Sequence, residues 1–363
     1  MARIDYNLTE DVVDDTQKVV TSTWTNNVNN LIVDNSFTSS IQADFAAATS
    51  SGAHYIEVYN NTGLSASQFS VAYGHRAGSG SLDFTNDTNA IGNSPSKNIY
   101  NQYRQLVFGD ETKHFAFPGD GDTNAFTPND IYVINVNRSR YKNNLKPGSL
   151  NLHLGNYQAG TFTGVHLTDD SVTTTGSAVI TNAGRQFNIV SGSNGVRSGS
   201  TNIQNSIGSG SYGLYYPDSG FIVLNPVAIG HILTASNDVG DASTCFIPER
   251  GGNTHSIDGT NSVRILNAIS GGGKFIVDSE EKISSKYYFT RIKNSQHNFT
   301  TNPSFIDSTG NLRYSTMENN PKVYITTVGL YNDTNDLVAV AKLSQPIAKD
   351  FSKEALIRVK LDY

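Results

Sequence analysis

His75 sits in "AYGHRAGSGS", where an alternating apolar stretch runs into a glycine-rich one. An imidazole at such a strand end could serve as a base or an anion contact; its plainer role, a polar cap on the strand, is the reading adopted. "DGDTN" at 120–124 places Asp120, Asp122 and Asn124 at alternate positions, as an oxygen-ligand calcium loop would. Ala125 then stands where that loop needs glycine and Ile131 where it needs a bidentate glutamate, so a solvated turn is expected. The glycines of "GSGSYG" at 208–213 have the spacing of a dinucleotide fold, but Leu214-Tyr215-Tyr216-Pro217 follow, where a helix would be needed to aim amides at a pyrophosphate. A flexible loop is expected there.

The eight histidines form no H-x-x-x-H or H-E-x-x-H pattern, and no G-x-S-x-G nucleophile elbow occurs. Paired-carboxylate chemistry would have to draw on scattered acids such as Glu57, Asp218, Glu249 and Asp278, and their spacing singles out no pair. No catalytic, cofactor-binding or metal-ligating residue is assigned, and the chain is expected not to be an enzyme.

The elements that would position these residues are mostly strands. Short alternating runs occur at 54–60 and 68–74, then at 130–137, 149–155 and through 160–220, where "YGLYYPDSGFIVLNP" reads as strand, turn and strand around Pro217-Asp218-Ser219-Gly220. The best helix is "SPSKNIYNQYRQLVFG": Ser94 as N-cap, Pro95 in the first turn, Gly109 as the stop, and Ile99, Tyr103, Leu106 and Val107 as its apolar face. Two shorter helices are expected near "PVAIGHILTA" and "TNSVRILNAISG", the second stopped by Gly271 to Gly273, with a long loop between them. The final eighty residues return to strands, and in the last of them Ile357, Val359, Leu361 and Tyr363 share one face. The fold class is therefore mainly β, a β-rich α+β arrangement of antiparallel sheets with a few short helices, an extended N-terminal arm and a C-terminal β-meander. The arm spans 1–50 and is expected to order against a partner through Trp24 and Leu31-Ile32-Val33. The core spans 51–363, divisible into 51–220 and 221–363.

Composition removes several functions. A net charge of −6 with 16% charged residues leaves no basic footprint for nucleic acid or anionic lipid. The single cysteine, Cys245, cannot form an internal disulfide or a multi-cysteine zinc site. "MARIDYNLTEDVVDDTQKVV" lacks the cationic flank and apolar run of a secretory signal, and none is expected. Abundant Tyr and Phe at low charge suit protein interfaces.

"QFSVAYGHRAGSGS", "SPSKNIYNQYRQLVFG", "DIYVINVNRSRYKNNLKPGSLNLHL", "YGLYYPDSGFIVLN", "YYFTRIKNSQHNFTTNPSFID" and above all "YITTVGLYNDTNDLVAVAKLSQPIAKDFSKEALIRVKLDY" carry a resemblance across most of residues 20 to 363. The chain resembles virion structural proteins of large contractile-tailed bacteriophages, of the type that infects cyanobacteria. The resemblance implies a structural tail or baseplate component with no catalytic residues to carry over. It implies other virion subunits and copies of the chain itself as partners, neither nucleic acid nor membrane, and a place in the virion after assembly in the host cytoplasm. Alternatives are a neck, fibre-attachment or capsid-surface protein, or outside that class a glycan-binding module or polysaccharide depolymerase.

Overall fold

The computed structural model describes residues 4–31, 37–39, 55–60, 66–81, 94–119, 125–158, 161–173, 178–198, 210–234, 260–298, 300 and 302–363. Along the chain run β1 (Val12–Ser22), β2 (Phe37–Ser39), β3 (Ile56–Asn60), β4 (Ser67–His75), α1 (Pro95–Phe108), β5 (Asp130–Val136), β6 (Asn144–Leu145), β7 (Asn151–Gln158), β8 (Thr161–Asp169), β9 (Val179–Thr181), β10 (Gly184–Ser193), β11 (Val196–Arg197), β12 (Gly213–Tyr216) and β13 (Phe221–Leu224). They are followed by α2 (Pro226–Thr234), α3 (Thr260–Gly272), β14 (Phe275–Ile276), β15 (Asp278–Ile292), β16 (Val323–Tyr331), β17 (Leu337–Lys349) and β18 (Ala355–Asp362). The protein is mainly β, with large antiparallel sheets, one of them curled into a half-barrel.

Two compact units divide it: Val19–Glu281, and Met1–Lys18 with Lys282–Tyr363. The expected boundary near 220 does not appear, because Gly213–Tyr216 and Phe221–Leu224 pair with each other in the middle of one sheet.

In the larger unit the sheet order is β14-β7-β8-β10-β12-β13-β5-β4-β3-β2, with β9 and β11 attached to β10. Its central strands are apolar on both faces, as "DIYVINV" and "FIVL" require. Tyr132, Ile134 and Val136 of β5 and Ile222 and Leu224 of β13 enter one core, which α2 closes with Ala228 and Ile229 and α3 with Ile265, Leu266 and Ile269. Ile131, Val133, Phe221 and Val223 enter the opposite core, closed by Ile99, Tyr100, Tyr103 and Val107 of α1. Helix α1 begins and ends as its sequence requires: Ser94 is the extended N-cap residue, and Gly109 stops it in the left-handed conformation at φ 61°. Leu106, assigned to the apolar face, is instead 44% exposed, and Tyr100 is the buried residue. Positions 99, 100, 103 and 107 form the covered stripe, and 106 lies beyond its edge.

The expected arm is corrected over the residues described. Val12–Ser22 is a long strand, and Trp24 and Leu31 are both 2% exposed within the chain's own core. Trp24 lies edge-on to Phe275 at 4.8 Å between ring centroids, and its Nε1 donates to the Phe275 carbonyl at 2.9 Å. Asn30 anchors the same segment, donating to the Gly273 carbonyl at 3.1 Å and accepting from the Phe275 N–H at 2.9 Å. The segment lacks periodicity because its anchors are isolated residues fitted to a distant strand. Ile32 and Val33 lie outside the described residues.

In the smaller unit β15 pairs with β18 from Ser285↔Asp362 to Ile292↔Ala355. β16 and β17 form a separate two-stranded sheet, so the expected C-terminal meander is split: β18 returns to β15 and does not continue the hairpin. Ile357 and Val359 are buried as the alternation foretold, while Tyr363 is 71% exposed.

Candidate functional site

His75 ends β4 beside Asp130, which begins β5, because the two strands pair in that register. Its Nδ1 accepts the backbone N–H groups of Ala77 and Ser79 at 3.0 and 3.1 Å. That places the ring proton on Nε2, which faces Asp130 Oδ1 at 3.8 Å. The same carboxylate oxygen accepts the Tyr73 hydroxyl at 2.5 Å, and Asp130 is fully buried. Helix α3 closes the network: Ser262 Oγ accepts the Tyr73 N–H at 3.1 Å and Asn261 Nδ2 donates to the Gly80 carbonyl at 2.9 Å. From the other side Ser94 Oγ donates to the Gly78 carbonyl at 2.5 Å and Ser96 Oγ to that of Ser79 at 2.9 Å. Gly80, at φ 79°, is obligatory because a Cβ there would lie 2.6 Å from Tyr73 Cε1. The arrangement resembles an Asp–His relay in composition only. Its outer nitrogen is occupied by two amides, so it fastens the glycine-rich turn to α1 and α3.

A second carboxylate pair, unmarked in the sequence, lies at the end of β8. Asp169 accepts the Gly148 N–H at 2.9 and 3.0 Å and the Ser171 N–H at 3.2 Å. Asp170 accepts the backbone and side-chain N–H groups of Asn188, both at 3.0 Å. Burial raises the pKa of both carboxyls against the pull of these donors, and for Asp169 the adjacent Asp170 adds to the rise. Adjacent in sequence, they bind different elements: Asp169 holds the turns at Gly148 and Ser171, and Asp170 holds Asn188 of β10. Only the unusual run "TDD" at a strand end could have flagged them.

The carboxylates named from sequence have separate commitments. Glu57 accepts the Tyr59 hydroxyl at 2.7 Å. Asp218 receives both Arg185 Nη2, at 2.5 Å, and the Arg185 backbone N–H, at 2.8 Å, a bracing of β10 onto the β12–β13 turn. Asp278 has its pKa raised by burial, with Lys146 opposing, and lines a cleft of about 440 Å³ with Val20, Thr21, Ser22, Asn27 and Asn29. Glu249, and the loop holding Asp120, Asp122 and Asn124, lie outside the described residues. Gly210 passes close to the Phe117 carbonyl at φ 78° and Gly213 opens β12, so the glycine pattern leads into a strand, as its sequel predicted.

His153 and His166 form a direct cross-strand pair of β7 and β8, stacked at 3.7 Å between ring centroids and 4° apart in plane. Burial first, then His166 and Lys274, drives the His153 pKa down to about 4, and burial lowers that of His166. The stack is therefore neutral near pH 7. Among the described residues no group of three or more His, Cys, Asp or Glu side chains is placed to hold a metal ion. No helix among them is long and apolar enough to cross a membrane.

The most distinctive surface is the β16–β17 hairpin. Tyr324, Tyr331, Leu337, Val338 and Val340 are 63, 49, 54, 66 and 58% exposed. Its other face, with Val328, Leu330, Ala339 and Ala341, packs into the core of the smaller unit. Tyr331 pairs with Leu337 and Gly329 with Val340, which gathers Tyr331, Leu337, Val338 and Val340 near one end of the hairpin; exposed apolar side chains clustered in this way on a two-stranded sheet mark an interaction surface. No family model, curated protein or solved structure matches the chain.

Proposed function

We propose that the chain is a non-enzymatic structural subunit of a bacteriophage contractile tail, a baseplate or baseplate-proximal component acting through protein–protein interfaces. The observation that carries the structural role is the exposed apolar face of the β16–β17 hairpin. The polar clusters described above support it, since their hydrogen bonds tie turns and strands of the chain to one another. The virion setting rests on the sequence resemblance, whose most specific part is the block that contains this hairpin. Its partners on this reading are neighbouring tail or baseplate subunits and further copies of the chain. Peptide mass spectrometry on purified particles separated into heads and tails tests it. Recovery with tails in a fixed copy number is expected; recovery with heads, or absence from particles, would overturn it.

A second reading is favoured by one feature. The cleft beside Asp278 is lined by Asn27, Asn29, Ser22 and Thr21, groups that hydrogen-bond sugar hydroxyls. A glycan-binding role predicts saturable calorimetric titration with host-surface oligosaccharides that Asp278→Asn weakens, and flat titrations would remove it.

A further inference from the structure

β7 and β8 are antiparallel neighbours, with His153 directly opposite His166. The His153 N–H turns away from β8 and donates to the Lys274 carbonyl at 2.9 Å. In an antiparallel strand the N–H and C=O of one residue point to the same side, so the two histidines form a non-hydrogen-bonded pair, the kind that brings its side chains closest. Their rings accordingly lie 3.7 Å apart between centroids. Two residues along the ladder, on the same face, Gly155 stands opposite Gly164, and this pair places no side chain beside the rings. His166 is exposed and His153 partly buried, so ions in solution reach the pair.

Imidazole nitrogens bind late first-row metals at about 2.0–2.1 Å, which sets two neighbouring ligand nitrogens roughly 2.9–3.4 Å apart for the bond angles such ions prefer. The spacing of the stack is close to that separation. Parallel rings aim their in-plane lone pairs side by side, and turning each ring about its Cβ–Cγ bond makes the two converge. The gap over Gly155 and Gly164 leaves room for the turned rings and a hydrated ion.

We propose that His153 and His166 form a two-imidazole binding site for a late first-row divalent metal ion, copper(II) in preference to nickel(II) and zinc(II), with water in the remaining coordination positions. The order of preference follows from imidazole ligation of these ions. Two protein ligands are fewer than a resident zinc centre has, so the ion exchanges with solution. Lys274 is the charged group acting on both rings, and its ammonium opposes a cation there.

Calorimetric titration of the full, untagged chain with copper(II), nickel(II) and zinc(II) chlorides, above the pH at which an ordinary imidazole is protonated, tests this. Electron paramagnetic resonance of the copper form is the second readout. One ion per chain is expected, copper the tightest, with hyperfine splitting from two imidazole nitrogens. His153→Ala and His166→Ala are each expected to weaken copper binding by roughly tenfold or more and to leave one such nitrogen, with an unchanged circular dichroism spectrum. His297→Asn, in the smaller unit, is expected to change neither readout. Lys274→Met is expected to tighten binding. Absence of saturable binding, a single bound imidazole in the wild type, wild-type affinity in either His153→Ala or His166→Ala, or weaker binding in Lys274→Met would overturn the proposal.

Discussion

Lys349 Nζ donates to Asn298 Oδ1 at 2.6 Å, in a side chain that is only 1% exposed. The carbonyl of Asn294, at 3.1 Å, and that of Gln296 accept its other protons. Three ammonium donors thus meet three acceptors of one loop, which fastens residues 294–298 to the end of β17. Desolvation lowers the lysine pKa, and the neighbouring Asp350 opposes the fall. Lys349→Met leaves those acceptors without their donor and is expected to cost about 2 kcal/mol. Urea unfolding of the full chain measures this; a loss under about 0.5 kcal/mol would mean other contacts hold the loop.

Trp24 tests whether the N-terminal segment belongs to the core. Its ring packs on Phe275 and Phe69, with centroids 4.8 and 6.0 Å away. Trp24→Ala is expected to destabilise the larger unit by about 3–5 kcal/mol, the usual cost of emptying an aromatic site. Near wild-type stability would return this segment to the status of an arm awaiting a partner.

The stacked histidines give a pH signature. The His153 pKa falls from an ordinary 6.5 to about 4 on folding, so the unfolded chain binds more protons between those values. The pair's contribution is complete above pH 6.5 and is lost as pH falls toward 4. Raised carboxyls at Asp169, Asp170 and Asp278 act in the opposite sense, so the comparison must be differential. His153→Gln is expected to reduce the loss of stability between pH 7 and pH 5, roughly the window in which an ordinary histidine titrates. An unchanged slope in urea titrations at the two pH values would contradict the burial of this pair.

Gly109 ends α1 at φ 61°, and its N–H donates to the Gln105 carbonyl at 2.9 Å. A Cβ there would also lie 2.7 Å from Asn182 Nδ2. Gly109→Ala is expected to cost about 1 kcal/mol or more, visible as a lower melting temperature. Gly310, also at positive φ but with open space around it, is the control: Gly310→Ala should show the backbone cost without the clash.

Local chemistry explains which elements were legible beforehand. The start and stop of α1 were readable from Ser94, Pro95 and Gly109, because capping depends on adjacent residues. The β12–β13 hairpin was readable from Pro217 to Gly220, whose turn closes with the Gly220 N–H on the Tyr216 carbonyl at 2.9 Å. His75 as a strand cap was also readable, since its acceptors' partners, Ala77 and Ser79, lie two and four residues on. The Asp169–Gly148, Asp170–Asn188 and Arg185–Asp218 contacts were not, because each joins residues far apart in sequence that only the sheet order brings close.

By itself, then, the sequence determined strand-rich composition, the caps, the turns and the absence of a local metal or nucleophile motif, all of which depend on residues within a turn or two of one another. Only the tertiary structure decided that Trp24 belongs beneath Phe275, that β18 pairs with β15, and that the β16–β17 hairpin keeps one apolar face outward. Alternation says that a strand has two faces; which face is covered, and by what, depends on partners hundreds of residues away or on another molecule.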